Sequence, residues 1–216
     1  MTNKRTNLEW KKLFESEQFE KDYFYNGNDL GYTLTEEDTE FKVWAPTAEK
    51  VILNVYESGD EECGSCVMQL PMKKYEKGVW RVSAGKSLEN MYYTFTVEVN
   101  GDVNETQDVY SVACGANGKR SMIVDLEKTN PDKWKEDAYI YEKSRQPVIY
   151  ELHIKDFSFK ESSGIPKEYR GKYKAFTIDD STLNNKGKKP TCISYLKTLG
   201  ITHIHLLPSF DFGSVN

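Results

Sequence analysis

Two aspartates stand where a parallel strand would hand its chain to a loop. Asp156 closes the run Val148-Ile-Tyr-Glu-Leu-His-Ile-Lys-Asp-Phe157, and Asp211 follows the run Ile201-Thr-His-Ile-His-Leu-Leu207. Neighbouring strands lie about 4.8 Å apart, close to the roughly 5 Å that separates the nucleophile and acid of a retaining carboxylate pair. The plainer reading of both is that they are strand-end acids bonded to backbone N–H groups, and that reading is adopted.

The three histidines, His153, His203 and His205, fall on the same two runs, with His203 and His205 on one face. Three imidazoles could hold zinc, but polar strand residues bonded to neighbouring backbone explain them more simply. Cys63-Gly-Ser-Cys66 has the spacing of half a metal site or a redox pair. No second Cys/His pair follows at ligand spacing, and Glu57-Ser-Gly-Asp-Glu-Glu62 before it marks the tip of a hairpin. No metal and no cofactor are therefore expected.

Composition limits the partners. The 216 residues carry 29 Lys+Arg interspersed with 34 Asp+Glu, a net charge of -5. That pattern has no basic block for a phosphate backbone or an anionic membrane, so neither nucleic acid nor a membrane is expected as a partner. Four cysteines in so long a chain do not make a disulfide framework. With no apolar stretch at the N-terminus, the chain reads as cytoplasmic.

The elements that must position these groups change character along the chain. Leu8, Trp10, Leu13 and Phe14 recur at helical spacing and predict one amphipathic helix over 7–21. From Gly31 the period is two: Phe41 and Val43, then Val51, Leu53 and Val55, then Tyr93, Phe95, Val97 and Val99. Each such strand is expected to keep one wet face, which in the last is Thr94, Thr96, Glu98 and Asn100. Asn100-Gly101 is a two-residue hairpin signal. Shorter runs at 67–72, 79–84 and 121–126 complete an antiparallel sandwich over 25–126.

After Leu126 the pattern is that of a linker, 127–147, with a helix start at Asn130-Pro131-Asp132. A strand over 148–157, a loop without periodicity over 159–190, a helix from a Thr191 cap to Leu199 and a second strand at 201–207 follow. This is the opening of a parallel β/α architecture. Such folds place their chemistry on loops after several strands, so the active site is expected to lie largely beyond Asn216.

These residues carry a family likeness. Tyr25-Asn-Gly-Asn-Asp-Leu-Gly-Tyr32, Phe41-Lys-Val-Trp-Ala-Pro-Thr-Ala48, Val51-Ile-Leu-Asn-Val-Tyr56, Gly78-Val-Trp-Arg-Val82, Tyr92-Tyr-Thr-Phe-Thr-Val97 and Asn117-Gly-Lys-Arg-Ser121 resemble the N-terminal sandwich of starch-debranching enzymes of glycoside hydrolase family 13, a carbohydrate-binding module of family 48. Val148 to Ser158, Gly171-Lys-Tyr-Lys-Ala-Phe-Thr177 and Ile201 to Phe212 resemble type I pullulanase.

The resemblance implies an all-β immunoglobulin-like sandwich (25–126) behind an N-terminal helical segment (1–24), then a linker and the first two strands of a (β/α)8 TIM barrel (148–216). It implies retaining hydrolysis of α-1,6 bonds in pullulan, amylopectin or glycogen-type α-glucan. The catalytic Asp, Glu and Asp of the family would fall beyond this chain, which is expected to be inert alone.

The resemblance also leaves Phe210, Asp211 and Phe212 as candidate substrate-binding residues at the barrel rim, and assigns Trp44 and Trp80 to sandwich packing. Glycogen-binding relatives carry Lys and Trp where this chain has Thr94 and Val103, so the sandwich is expected to bind glucan weakly. The rival reading is a non-enzymatic α-glucan-binding or scaffold module.

Overall fold

The computed structural model describes residues 4–137, 146–207 and 209. The chain divides into two compact units, one ending at Trp134 and one beginning at Lys135.

The first unit starts with two helices, α1 (Asn7–Phe14) and α2 (Glu17–Tyr23), where sequence periodicity predicts one. Ser16 is the reason for the break. Its hydroxyl donates to the Leu13 carbonyl (2.7 Å) and accepts from the Phe19 N–H (3.1 Å), so one side chain closes α1 and caps α2. Thr6 and Glu9 form a reciprocal capping box at the start of α1.

Nine strands follow: β1 (Gly31–Leu34), β2 (Thr39–Trp44), β3 (Lys50–Tyr56), β4 (Cys66–Pro71), β5 (Lys73–Lys74), β6 (Val79–Ser83), β7 (Tyr92–Val99), β8 (Asp102–Thr106) and β9 (Ser121–Met122). They form two antiparallel sheets, ordered β1-β2-β6-β5 and β4-β3-β7-β8, with β9 also paired to β7. The 121–126 strand predicted from sequence is thus cut to two residues. The Asp125 carboxylate accepts from the Glu127 N–H at 3.0 Å and turns the chain into a 3-10 turn, Leu126–Thr129.

Alternation explains the core. Phe41 and Trp80 from one sheet meet Val51, Leu53, Val55, Tyr93 and Phe95 from the other, with Ile123 closing the layer. Tyr93 packs edge-on against Phe41 (4.9 Å) and Phe95 (5.6 Å), the geometry that aromatic quadrupoles favour. Asn100 (φ 58°) and Gly101 (φ 75°) are both left-handed, as the turn joining β7 to β8 requires.

Two further expectations fail in this unit. Thr94 is only 3 % exposed rather than wet, because side chains from β3 and β8 close over it. Trp44 is 40 % exposed, and points away from the core. Its indole N–H donates to the carbonyls of Tyr23 and Lys77, both at 3.0 Å, and its ring meets the edge of Phe19 at 6.5 Å. It seats α2 on the sandwich.

In the second unit β10 (Ile149–His153) runs parallel to β11 (His203–Leu207), with Ile149 opposite His203. The sequence predicts a strand to Phe157; instead α3 (Ile154–Ser158) begins after His153, whose ring accepts from the N–H groups of Lys155 and Asp156. The stretch 159–190, which lacks periodicity, is built from 3-10 turns around Ile165 and Ala175. Phe157 and Phe176 stack beside them with centroids 4.3 Å apart.

The helix α4 (Cys192–Thr198) precedes β11 and ends at a left-handed Gly200 (φ 72°). Thr191 does not cap it by side chain. Its hydroxyl donates instead to the Ser163 carbonyl at 2.6 Å, tying the loop to the helix start.

Candidate functional site

Phe210, Asp211 and Phe212, the residues that the sequence offers for a barrel rim, lie outside the described residues. Asp156 lies on α3 with an 83 % exposed side chain, its carboxylate 3.9 Å from His153 Nδ1. The backbone N–H groups of Lys155 and of Asp156 itself donate to the imidazole of His153. The histidines do not converge. His205 Nδ1 meets Glu151 Oε2 at 3.0 Å, and His203 Nδ1 lies 2.8 Å from the Thr202 hydroxyl. Among the described residues no group of His, Cys, Asp and Glu is placed to hold a metal ion.

The outer face of β3, β7 and β8 is better organised. Asn54 Nδ2 donates to the hydroxyls of Thr94 (3.2 Å) and Thr96 (2.8 Å), and Asn54 Oδ1 accepts from Gln69 Nε2 at 2.8 Å. Glu105 Oε1 accepts from both the Thr94 and Tyr56 hydroxyls at 2.5 Å. Burial, then the Glu105 carboxylate, push the Tyr56 phenol up to about 12, so it stays a donor at any ordinary pH.

Arg120 completes this face. Its guanidinium lies 3.7 Å over the Tyr56 ring, and Nη1 donates to the carbonyls of Ser58, Asp60 and Cys63 at 2.8, 2.9 and 3.1 Å. Gly115 meets Gly59 so closely that a Cβ on Gly115 would stand 2.4 Å from the Gly59 Cα; a side chain there would push the 58–63 loop away. A cavity of 260 Å³ remains between Tyr56, Glu105, Lys119 and Arg120.

Sequence reading missed Glu105 and Arg120. Tyr56-x-Thr94-x-Glu105 has no linear signal, because only strand pairing brings the three together. Cys63 and Cys66 sit at the loop as its hairpin reading expects, and both are free thiols. The nearby Asp60 raises the Cys63 pKa, the opposite of what activates a redox thiol.

Residues 29–112 match the profile of carbohydrate-binding module 48, described as the isoamylase N-terminal domain. The sandwich is similar to a family 48 module over those residues. Its fold extends a little past the match, since β9 and Ile123 close the same core.

The chain is also similar to pullulanases over nearly all its length. It is 32 % identical to the pullulanase of Bacillus subtilis (strain 168) over 214 residues, 98 % of this chain and 28 % of that protein. It is 31 % identical to the pullulanase of Klebsiella pneumoniae over 202 residues, 86 % of this chain and 17 % of that one. The pullulanase from Paenibacillus barengoltzii, solved with maltohexaose and α-cyclodextrin, superposes with a TM-score of 0.80 at 36 % identity, covering 91 % of this chain and 30 % of that chain. Pullulanase from Bacillus acidopullulyticus gives 0.77 at 40 % identity, over 90 % and 23 %. The chain thus spans under a third of the length of these relatives.

Proposed function

We propose that the family 48 module and the β10–α4–β11 unit are the α-glucan-binding sandwich and the opening two strands of the (β/α)8 barrel of a pullulanase-like debranching enzyme. The whole enzyme would cleave α-1,6 branches of pullulan, amylopectin or glycogen-type glucans with retention. The carrying observation is the parallel pairing of Ile149–His153 with His203–Leu207 within a chain that is pullulanase-like from end to end. The division at 25–126, 127–147 and 148–216 belongs to this reading; 138–145 of that linker lie outside the described residues.

Alone, this chain does not cut glucan. A retaining enzyme holds its acid in an apolar pocket about 5 Å from a second carboxylate, whereas Asp156 is a solvated group beside a histidine. The free thiols of Cys63, Cys66, Cys114 and Cys192 suit a reducing, cytoplasmic setting.

A non-enzymatic glucan-binding role is the second reading, favoured by the ordered polar face around Glu105. Native electrophoresis of the 216-residue chain in amylopectin gels tests the shared premise: retardation is expected, and mobility equal to that in a glucan-free gel contradicts it.

A further inference from the structure

We infer that the groove beside β1 is a further α-glucan subsite, separate from the β3–β7–β8 face; this rests on the glucan-binding reading above. The groove encloses 530 Å³, about twice the 260 Å³ cavity on the sheet face and within the roughly 300–1,000 Å³ of small-ligand clefts. Its walls pair apolar surface with acids. Tyr110 and Leu126 are 49 % and 53 % exposed there, while Glu36, Glu89 and Asp125 line it against one cation, Lys128.

That chemistry selects a ligand class. Carboxylates outnumbering the ammonium disfavour an anion. A wholly apolar ligand would strip water from those acids without replacing their hydrogen bonds. A neutral pyranose does neither: its C–H face lies on the tyrosine and leucine, and its hydroxyls donate to the carboxylates. Glu89 already grips Lys128 through both oxygens, at 2.7 and 2.8 Å, and Asp125 Oδ1 accepts from the Glu127 N–H at 3.0 Å with Oδ2 3.9 Å from Lys128, which leaves Glu36 as the more available acceptor.

The groove is also preformed. The Tyr32 hydroxyl donates to the Val124 carbonyl (2.8 Å) and accepts from the Val124 N–H (2.9 Å), so the β1 wall is tied to the 124–128 wall. The Tyr110 N–H donates to Asp108 Oδ1 at 2.9 Å, and Asp108 Oδ2 accepts from the buried Tyr93 hydroxyl at 2.7 Å. The backbone that carries this exposed ring is thereby tied to the core, which lowers the ordering cost of binding.

The test is maltohexaose titrated into the ¹⁵N-labelled 216-residue chain, read from amide shifts. Saturable shifts are expected at Tyr110, Val112 and Leu126. Tyr110→Ala is expected to raise the Kd read there about tenfold. Leu126→Ala, which removes only an exposed side chain, raises it severalfold, and Lys119→Ala on the sheet face leaves it unchanged. Shifts confined to Thr94, Glu105 and Lys119 would overturn the groove while leaving glucan binding intact. No shifts anywhere would overturn both.

Discussion

Arg120 lies 3.7 Å above the ring of Tyr56 while its Nη1 holds the carbonyls of Ser58, Asp60 and Cys63. One side chain therefore fixes both an aromatic on the sheet face and the loop beside it. Arg120→Ala is expected to cost about 2–3 kcal/mol in urea unfolding, from the lost cation–π contact and charge-assisted bonds. Arg120→Lys keeps the charge but loses the fork, and is expected to recover less than half. Equal stability of native and Ala chains would show that the loop is not held this way.

Asp108 gives a pH signature. It is 3 % exposed, and burial raises its carboxyl above the ordinary range. Because the folded value exceeds the unfolded one, the folded chain keeps the proton longer, and this group's contribution is lost as pH rises from about 4 through the raised value. Asp108→Asn has no such proton to lose. The Tm difference, native minus Asn variant, is expected to fall as pH rises from about 4 through the raised value; a difference that rises with pH would reverse the sign assigned here.

Trp44 couples α2 to the sandwich through the Tyr23 carbonyl and Phe19. Trp44→Ala is expected to leave the sheets intact and to speed amide exchange in Glu17–Tyr23 by about tenfold, the effect of losing roughly 1–1.5 kcal/mol of local anchoring. Exchange unchanged in that helix would mean that other contacts hold it.

The two units should also differ in exchange. Val51, Leu53, Val55, Tyr93 and Phe95 are at most 1 % exposed, whereas Ile149, Tyr150 and Ile204 are 66 %, 39 % and 39 % exposed on their strands. A parallel pair in an α/β fold is ordinarily covered on both faces. Hydrogen exchange is expected to be slow in β3 and β7 and fast in β10 and β11 of the isolated chain. Equal protection in all four, in a monomer, would contradict this.

Much of the sandwich was legible because burial of one face writes itself as alternation: Val51 to Val55 and Tyr93 to Val99 needed nothing more, and Asn100-Gly101 named its own turn. What could not be read came from contacts made across the chain. Thr94 looks wet until Asn54 and Glu105 arrive from other strands. Trp44 looks like core until α2 is placed beneath it. The break at Ser16 and the stop at His153 turn on single side-chain bonds to backbone, which leave hydrophobic periodicity unchanged. Of the candidate site, Thr94 was singled out from sequence, whereas Tyr56 and Arg120 entered only inside matching motifs and Glu105 not at all, since they meet only through the register of β3, β7, β8 and β9. Phe210, Asp211 and Phe212 stand outside the described residues.

The most direct measurement is incubation of the 216-residue chain with pullulan, following both its retention on the polymer and the release of reducing ends. Retention without maltotriose release is expected on the proposed reading, in which the chain binds glucan but does not cut it alone. Maltotriose release that persists after repurification would contradict it.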